Sequence, residues 1–342
     1  MFRDFITFIL SFLFGSKMTD FEHCLDSALL FKGIRCSGEP LIYDDNSGKM
    51  FMVKRLKDDT KFETLMLRVQ DIEKPEDRTA VKRELDILRS LNHPNLQNLV
   101  DHKTDSYSAH FLLEWPALGD LQHVMRSKRQ RKLEGNNQIF SVFYKIVKAV
   151  HYLQFGLNIV HGNLTDSNIL MKSADEPMIA NLRSSVPRDS MDSYRGVPGW
   201  MDPVFYSAEE GVHKFLFNES IDVYSLGVIL YQMFHESQLP FGKDWEYRKK
   251  VADGNYFVRS GVPYEAVFAI NRCLQVDPEN RLTLSQLLRV AQAGLGRKTY
   301  RTTTEELVES NRRTSSVKVL QYIEKSVDFG PEKVSVYGVR FV

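Results

Sequence analysis

The chain lacks most of the features that assign a protein quickly to a class. Its 342 residues carry a formal net charge of +1, so no overall field favours nucleic acid or an acidic membrane surface. It has only three cysteines. They lie far apart, which argues against a disulfide framework and against a zinc site. Internal repeats and low-complexity tracts are missing as well. We therefore expect a globular protein of a reducing compartment, the cytoplasm.

Long hydrophobic runs are also missing. The most apolar stretch, residues 5–15, is shorter than the about 20 residues that span a bilayer. It has the length of a signal-peptide core, but Asp4 and the single preceding Arg3 weaken that interpretation. Three alternatives stay open: a signal, a short membrane anchor, or an artefact of the start site, since Met18 would begin a complete domain. We expect any membrane association to depend on this segment.

What the chain does contain is a strand-rich first third followed by helices. Residues 27–57 form short apolar runs with a hairpin signal between them. Residues 78–91 and 138–154 place apolar side chains at helical spacing. Residues 110–115 form a short apolar run typical of a buried strand, and residues 220–234 are apolar almost all round, which predicts a buried helix. This order predicts an α+β fold with two lobes.

Several short motifs, in this order and spacing, resemble those of the eukaryotic protein kinase domain. FMVK, which ends at Lys54, resembles the VAIK strand, and HGNLTDSN, which begins at His161, resembles HRDLKPEN. The tract GVPGWMDPVFY, followed by DVYSLGVILYQM, is most similar to the tyrosine-kinase-like branch. The resemblance implies a bilobal protein kinase fold, with a small β-rich N-lobe that contains one helix and a larger helical C-lobe.

The resemblance also implies a division of the chain. The kinase-like domain would cover residues 27–295, with the N-lobe at 27–115 and the C-lobe at 119–295. An apolar segment and lead-in, residues 1–26, would precede it. Residues 296–342 would form a partly helical tail.

The resemblance implies a nucleotide site in which several parts have been replaced. Lys54 takes the position of the phosphate-gripping lysine and Glu84 that of its partner on the following helix, so we expect these two to pair. Arg35 replaces the second glycine of G-x-G-x-x-G and hinders close backbone approach. Pro116 falls where a backbone N–H normally donates to adenine, and proline has none. Met52 replaces a small alanine and is expected to narrow the pocket. The residues assigned to this degraded site are Gly33, Gly38, Met52, Lys54, Glu84, Leu113, Glu114, Pro116 and Leu170.

The metal ligands implied by the resemblance are half lost. Asn168 matches the asparagine ligand, whereas Asn181 replaces the aspartate of DFG, which here reads Asn-Leu-Arg. Because Mg²⁺ is usually bound through carboxylates and phosphates, we expect weak or absent Mg²⁺ binding and weak ATP binding. Arg183 adds a cation that would either stand in for the metal or fill the pocket, and the sequence leaves both open.

The catalytic aspartate implied by the resemblance is missing. Asn163 stands at its position, and an amide cannot accept the substrate proton, a step typically worth about 10²–10⁴-fold in rate. Asp166 is the nearest carboxylate, and we expect it to face elsewhere. Gly162 replaces the arginine that pairs with a phosphorylated activation segment. No catalytic residue of the pattern is therefore intact.

The residues to which the resemblance assigns a structural role are retained: His161, Leu182, Asp222 and Arg281. The partner of Arg281 stays open. In the preferred alignment its glutamate has become Val204, with an insertion at 205–218. In the other alignment the partner is Glu210.

These observations predict a catalytically deficient kinase-like domain, a pseudokinase, that acts as a scaffold or an allosteric binding partner in signalling. Its expected partner is a protein, either an active kinase or the substrate of one, and not a nucleic acid. One alternative is a divergent active Ser/Thr or Tyr kinase with weak phosphoryl transfer. Another is a metal-independent nucleotide sensor that uses Arg35 and Arg183.

Overall fold

The computed structural model describes residue 28, residues 30–36, 43–45, 48–58, 61–127, 133, 135–192, 197–206, 215–242, 247–254 and 256–296. The chain divides into two compact units. Of the described residues, unit 1 contains those up to Ala117 together with Asn181–Arg183, and unit 2 contains those of Leu118–Ala180 and those from Ser184 onward. The division into a strand-rich and a helical part confirms the predicted α+β class.

Unit 1 is built on one antiparallel sheet. Its strand order is β1-β3-β4-β6-β5, and β2 pairs with β3. The strands are β1 (Ile34–Cys36), β2 (Tyr43–Asp45), β3 (Gly48–Asp58), β4 (Lys61–Asp71), β5 (Leu99–Thr104) and β6 (Ser108–Glu114).

Strand β4 is buried on both faces. Side chains alternate between the two faces of a strand, and Leu65, Leu67 and Val69 enter a core cluster on one face. Arg68 and Gln70, on the other face, are buried as well. A cation in such a position needs a partner, because burying an unpaired charge is expensive.

Helix α1 (Pro75–Ser90) begins three residues before the predicted start. Proline suits the first turn because its missing N–H is not needed there, and acidic residues in that turn complement the helix dipole. The buried face carries four apolar residues and one carboxylate: Ala80, Val81, Ile87, Leu88 and Glu84.

Unit 2 is mainly helical. Its helices are α2 (Leu121–Arg126), α3 (Gly135–His151), α4 (Glu219–Phe234), α5 (Tyr247–Asp253), α6 (Tyr264–Cys273) and α7 (Leu284–Ala293). Helix α4 is buried over almost its whole length, as predicted from its sequence. Gly227 allows α6 to approach α4, since a Cβ there would lie 2.5 Å from the Cβ of Cys273.

Three two-stranded sheets in unit 2 were not predicted. They pair β7 (Ile159–Val160) with β10 (Val186–Pro187), β8 (Ile169–Ser173) with β9 (Glu176–Ile179), and β11 (Ser190–Asp192) with β12 (Phe215–Phe217). These runs are two to five residues long, too short to give a clear period in the sequence.

Some predictions lie outside the described residues. They concern residues 5–15, Gly38, Glu210 and the tail beyond residue 296. Within the part of the chain that the structure describes, no helix is both long enough and apolar enough to cross a membrane.

Candidate active site

The backbone of the HGNLTDSN segment is fixed by Asp222. This buried carboxylate accepts hydrogen bonds from the backbone N–H groups of His161 (2.9 Å) and Gly162 (3.0 Å) and from Nε2 of Gln154 (2.7 Å). Burial raises the pKa of the Asp222 carboxyl, while His161 and the N–H donors oppose that change. The arrangement agrees with the structural role expected of Asp222.

His161 is fully buried and bonded through both ring nitrogens. Nδ1 lies 3.2 Å from the backbone N–H of Asn163 and accepts from it. Nε2 therefore carries the proton and donates to the carbonyl of Ala180 at 3.0 Å. The ring joins the loop to the residue that precedes Asn181.

Gly162 occupies a backbone conformation that disfavours any other residue. Its φ is +73°, and a Cβ there would lie 3.2 Å from the carbonyl oxygen of Ser184 and 3.3 Å from the ring of Phe217. A left-handed φ is costly for residues that carry a Cβ. The backbone conformation and the packing at position 162 therefore leave no room for the arginine of the kinase pattern.

Asn163 places a neutral amide at the position of the catalytic base. Its Oδ1 is buried, and none of the described residues donates a hydrogen bond to it. Its carbonyl oxygen accepts from Nδ2 of Asn168 at 2.8 Å, and the backbone N–H of Asn168 is bonded to Oγ1 of Thr165. The loop is thus well ordered around a residue that cannot take up a proton.

Asp166, the nearest carboxylate, is turned into the interior of unit 2. It is 0% exposed and accepts from Nε2 of Gln232 at 2.8 Å, Oγ of Ser237 at 3.3 Å and Nε2 of Gln122 at 3.3 Å. This agrees with the expectation that Asp166 faces elsewhere. The carboxylate also accepts from Oγ of Ser167 at 3.5 Å, so four neutral side chains donate to it.

The predicted ion pair between Lys54 and Glu84 is wrong. Both carboxylate oxygens of Glu84 accept from Arg68, at 3.0 and 2.7 Å. Lys54 is exposed. Sequence reasoning missed Arg68, although an arginine within the apolar run LMLRV was a usable signal.

The residues expected to contact adenine lie on β3 and β6 or just beyond. Met52 pairs in register with Met66, which pairs in turn with Leu113. The carbonyl of Glu114 already accepts from Nε2 of Gln97 at 3.0 Å, and Pro116 has no N–H to offer. Pro116 therefore offers no backbone donor, while the Glu114 carbonyl keeps a second lone pair.

Two further residues assigned to the nucleotide site, Gly33 and Leu170, belong to different units. Gly33 has a φ of +72° and accepts at its carbonyl from the backbone N–H of Leu56 at 3.1 Å. Leu170 lies on β8 in unit 2 and forms an antiparallel bridge with Asp120. The side chain of Arg35 lies outside the described residues.

Arg183 is bonded within unit 1. Its guanidinium forms an ion pair with Asp77 in the first turn of α1. The amide oxygen of Gln70 faces the same guanidinium when the amide is oriented to satisfy both groups. This engagement weakens the interpretation of Arg183 as a substitute for metal charge. The preceding Leu182 is buried.

One of the two metal-ligand positions departs from the kinase pattern, since Asn181 replaces an aspartate whereas Asn168 matches the pattern. Asn168 lies in unit 2 and Asn181 in unit 1, and both side chains are neutral amides. Asn181 has a φ of +61°, a conformation that asparagine adopts more readily than most residues. Within the described part of the chain, no group of three or more His, Cys, Asp or Glu residues is arranged to hold a metal. The neutral amide of Asn181 fits a hard divalent cation less well than the carboxylate of the pattern does.

Arg281 pairs with Asp202. The two are fully buried and joined by two hydrogen bonds, one of them 3.0 Å from Nη2 to Oδ1. Neither sequence alignment predicted this partner, because both searched for a glutamate. The Asp202 carboxylate lies two residues before Val204. An aspartate at a shifted position therefore pairs with Arg281 in place of the expected glutamate.

Comparison with known proteins agrees with this geometry. A family model described as protein tyrosine and serine/threonine kinase matches residues 45–290. The match covers most of the chain, and the chain therefore belongs to this family.

Its curated relatives are named protein kinases. An Aurora kinase of Schizosaccharomyces pombe is 27% identical over 249 residues, which cover 71% of this chain and 66% of the relative. A probable serine/threonine-protein kinase, MARK-A of Dictyostelium discoideum, is 26% identical over 72% of this chain and 22% of its own length. Human NUAK family SNF1-like kinase 2 is 28% identical over 71% and 36% respectively.

These relatives limit what is carried over. The chain spans 66% of the Aurora kinase and 22% of MARK-A, so the activity of the whole relatives does not transfer to it directly. Their names lend no support to the tyrosine-kinase-like branch, which stays a prediction.

Proposed function

We propose that this chain is a protein kinase-like domain deficient in phosphoryl transfer, which acts as a scaffold or an allosteric binding partner in signalling. Its fold would present a surface to another protein, either an active kinase or the substrate of one. The expected location is the cytoplasm, with membrane association limited to residues 5–15.

The observation that carries this proposal is the pair of Asn163 and Asp166. Asn163 cannot act as a base, and its buried Oδ1 has no donor among the described residues. Asp166 is fully buried and accepts from Gln232, Ser237 and Gln122. Rescue by Asp166 would need this hydrogen-bond network to open and the carboxylate to leave the interior of unit 2.

The cofactor part of the proposal is weak ATP binding with weak or absent Mg²⁺ binding. A nucleotide–metal complex would supply an activated phosphoryl group to such a fold. In this chain the lysine is not held by Glu84, Pro116 lacks a donor, and Asn181 supplies a neutral oxygen where the pattern has a carboxylate. Each change lowers affinity, and none of them alone abolishes it.

A thermal unfolding scan of the full chain with millimolar ATP, with and without Mg²⁺, tests this proposal. A ligand at 100 times its dissociation constant stabilises by about 2.7 kcal/mol, which raises the midpoint of a chain of this size by several degrees. We expect a small rise or none, and no increase on addition of Mg²⁺. A Mg²⁺-dependent rise that disappears in Lys54→Ala would overturn the proposal.

A second candidate is a divergent active kinase, and two observations favour it. The relatives are named as kinases. The backbone of the HGNLTDSN loop is also fixed by hydrogen bonds, since Asp222 accepts from two backbone N–H groups and Asn168 donates to the carbonyl of Asn163. Autophosphorylation that requires metal and Lys54 would favour this candidate. The metal-independent sensor has lost support, since Arg183 is bonded to Asp77.

A further inference from the structure

The contact between β4 and α1 is centred on one buried ion pair. Nη1 of Arg68 donates to Oε1 of Glu84 at 3.0 Å and Nη2 donates to Oε2 at 2.7 Å. The side chains are 4% and 1% exposed. The guanidinium also lies 4.4 Å from the centroid of the Phe111 ring, a favourable cation–π distance. Two parallel bonds and an aromatic face fix the geometry of this arginine.

Lys54 lies on the same face of the sheet but takes no part in this pair. It pairs in register with Thr64, and Thr64 and Arg68 share a face because they are an even number of residues apart on β4. Among the described residues Lys54 forms no ion pair, and its side chain is exposed. The neighbouring Arg55, by contrast, pairs with Glu63 at 2.6 Å, with each side chain 33% exposed.

We propose that Arg68 has replaced Lys54 as the partner of Glu84 and is the residue that positions α1. The helix is then held by the chain itself, without Lys54 and without nucleotide. This inference deepens the proposed function and rests on it, because it explains weak nucleotide binding by the loss of an oriented lysine.

The physical reason is competition for a single carboxylate. Glu84 has two oxygens, and the planar guanidinium occupies both. An ammonium cannot reproduce this bidentate geometry, so Lys54 gains little by displacing Arg68. Removing Arg68 leaves Glu84 buried without a cation, and we expect Lys54, on the same face of the sheet, to become its partner.

The first experiment measures binding of a fluorescent ATP analogue, without metal, to the full chain. We expect Arg68→Met to raise the affinity about tenfold, the worth of one charge-assisted contact. The additional substitution Lys54→Met should remove that gain. A merely structural role of Arg68 predicts the opposite, a loss of affinity in Arg68→Met. The matched control is Arg55→Met, which should leave the affinity unchanged. No gain in a folded Arg68→Met protein overturns the inference.

The second experiment uses the wild-type chain and Glu84→Gln, and it decides the matter if Arg68→Met does not fold. The lysines are acylated with an amine-specific reagent, and the rate at each site is followed by peptide mass spectrometry. We expect Lys54 to react as fast as the exposed Lys82 on α1. Protection of Lys54 that is relieved by Glu84→Gln would show that Lys54 pairs with Glu84 and would overturn the inference.

Failure of the inference and failure of the proposed function are distinguishable. Metal-dependent phosphoryl transfer by the wild-type chain would contradict the proposed function. The partner of Glu84 would still be decided by the binding and acylation experiments. A protected Lys54 in a chain without phosphoryl transfer would sink the inference alone.

Discussion

Arg281 and Asp202 form an ion pair that is fully buried in unit 2. The guanidinium also donates to three backbone carbonyls, those of Gln275 (2.8 Å), Ser220 (3.0 Å) and Val276 (3.0 Å). Every donor group of the arginine is thereby used, which is the condition under which a buried ion pair is tolerated. The pair connects the segment before Val204 to the start of α4 and to the loop that precedes α7.

Removing one member of this pair should be strongly destabilising. Asp202→Ala leaves the guanidinium buried without a counter-charge, and we expect a loss of about 3–5 kcal/mol in the free energy of unfolding. Chemical denaturation followed by circular dichroism measures it.

The controls for Asp202→Ala are two neighbouring changes. Val204→Ala, at a side chain that is 36% exposed, should cost less than about 1 kcal/mol. Glu210→Gln should be as small, because Arg281 is already paired. A large effect of Glu210→Gln together with a small effect of Asp202→Ala would restore the alternative alignment.

Restoring the arginine of the kinase pattern should destabilise the fold. Gly162→Arg forces a residue with a Cβ into a φ of +73° and against the carbonyl of Ser184. We expect Gly162→Ala to lose about 1–2 kcal/mol of stability, and Gly162→Arg at least as much. Thermal unfolding of both variants tests this, and a Gly162→Arg protein as stable as the wild type would contradict it.

His235 should make the stability depend on pH. In the folded chain Nδ1 donates to the carbonyl of Tyr231 at 2.7 Å, and Nε2 accepts from the N–H of Arg259 at 3.0 Å. Burial lowers the pKa of His235 below its ordinary value, and Arg259 adds to this effect. The unfolded chain therefore binds the proton first as the pH falls through about 6.5. The contribution of His235 to the stability is therefore complete above that pH, and it is lost as the pH falls through the lower pKa of His235 in the folded chain.

The measurement compares the unfolding free energies of the wild type and His235→Gln at pH 7.5 and 5.5. The wild type should lose more on acidification. Burial also lowers the pKa values of His102 and His151, but both proteins retain these groups, so the difference isolates His235. Equal losses would contradict the assignment.

Part of this structure was predictable because it depends on local patterns. The spacing of apolar residues predicted α1 and α4, and the tract DVYSLG assigned Asp222 to the role of holding the loop backbone, in agreement with its hydrogen bonds. The partner of Glu84 was not predictable in the same way, since it depends on which face of β4 each side chain takes. The partner of Arg281 was missed for a related reason. The carboxylate belongs to Asp202, whereas the alignments expected a glutamate at position 204 or 210.

Cys273 should be chemically inert in the folded protein. It is fully buried against Gly227 of α4, and burial raises the pKa of its thiol to about 12. Because the thiolate is the reactive form, we expect no alkylation of Cys273 by iodoacetamide at pH 8 until the chain unfolds. Peptide mass spectrometry distinguishes Cys273 from the other two cysteines. Rapid labelling of native Cys273 would show that the contact between α4 and α6 is looser than described.

The packing of α4 against α6 gives a further prediction. A methyl group on Gly227 would meet the Cβ of Cys273 at 2.5 Å and Leu274 at 3.2 Å. We expect Gly227→Ala to cost about 1–3 kcal/mol through overpacking, and the variant Gly227→Ala/Cys273→Gly to recover part of that loss. Denaturant midpoints of the two variants and the wild type provide the comparison.

The central claim concerns phosphoryl transfer, and the most direct measurement is the transfer of the γ-phosphoryl group from labelled ATP. The full chain would be incubated with Mg²⁺ or Mn²⁺, with itself and a general protein substrate as acceptors, beside Lys54→Ala. Our account predicts that wild type and Lys54→Ala give the same background signal. Metal-dependent transfer by the wild type that is lost in Lys54→Ala would contradict the account and make this chain an active kinase.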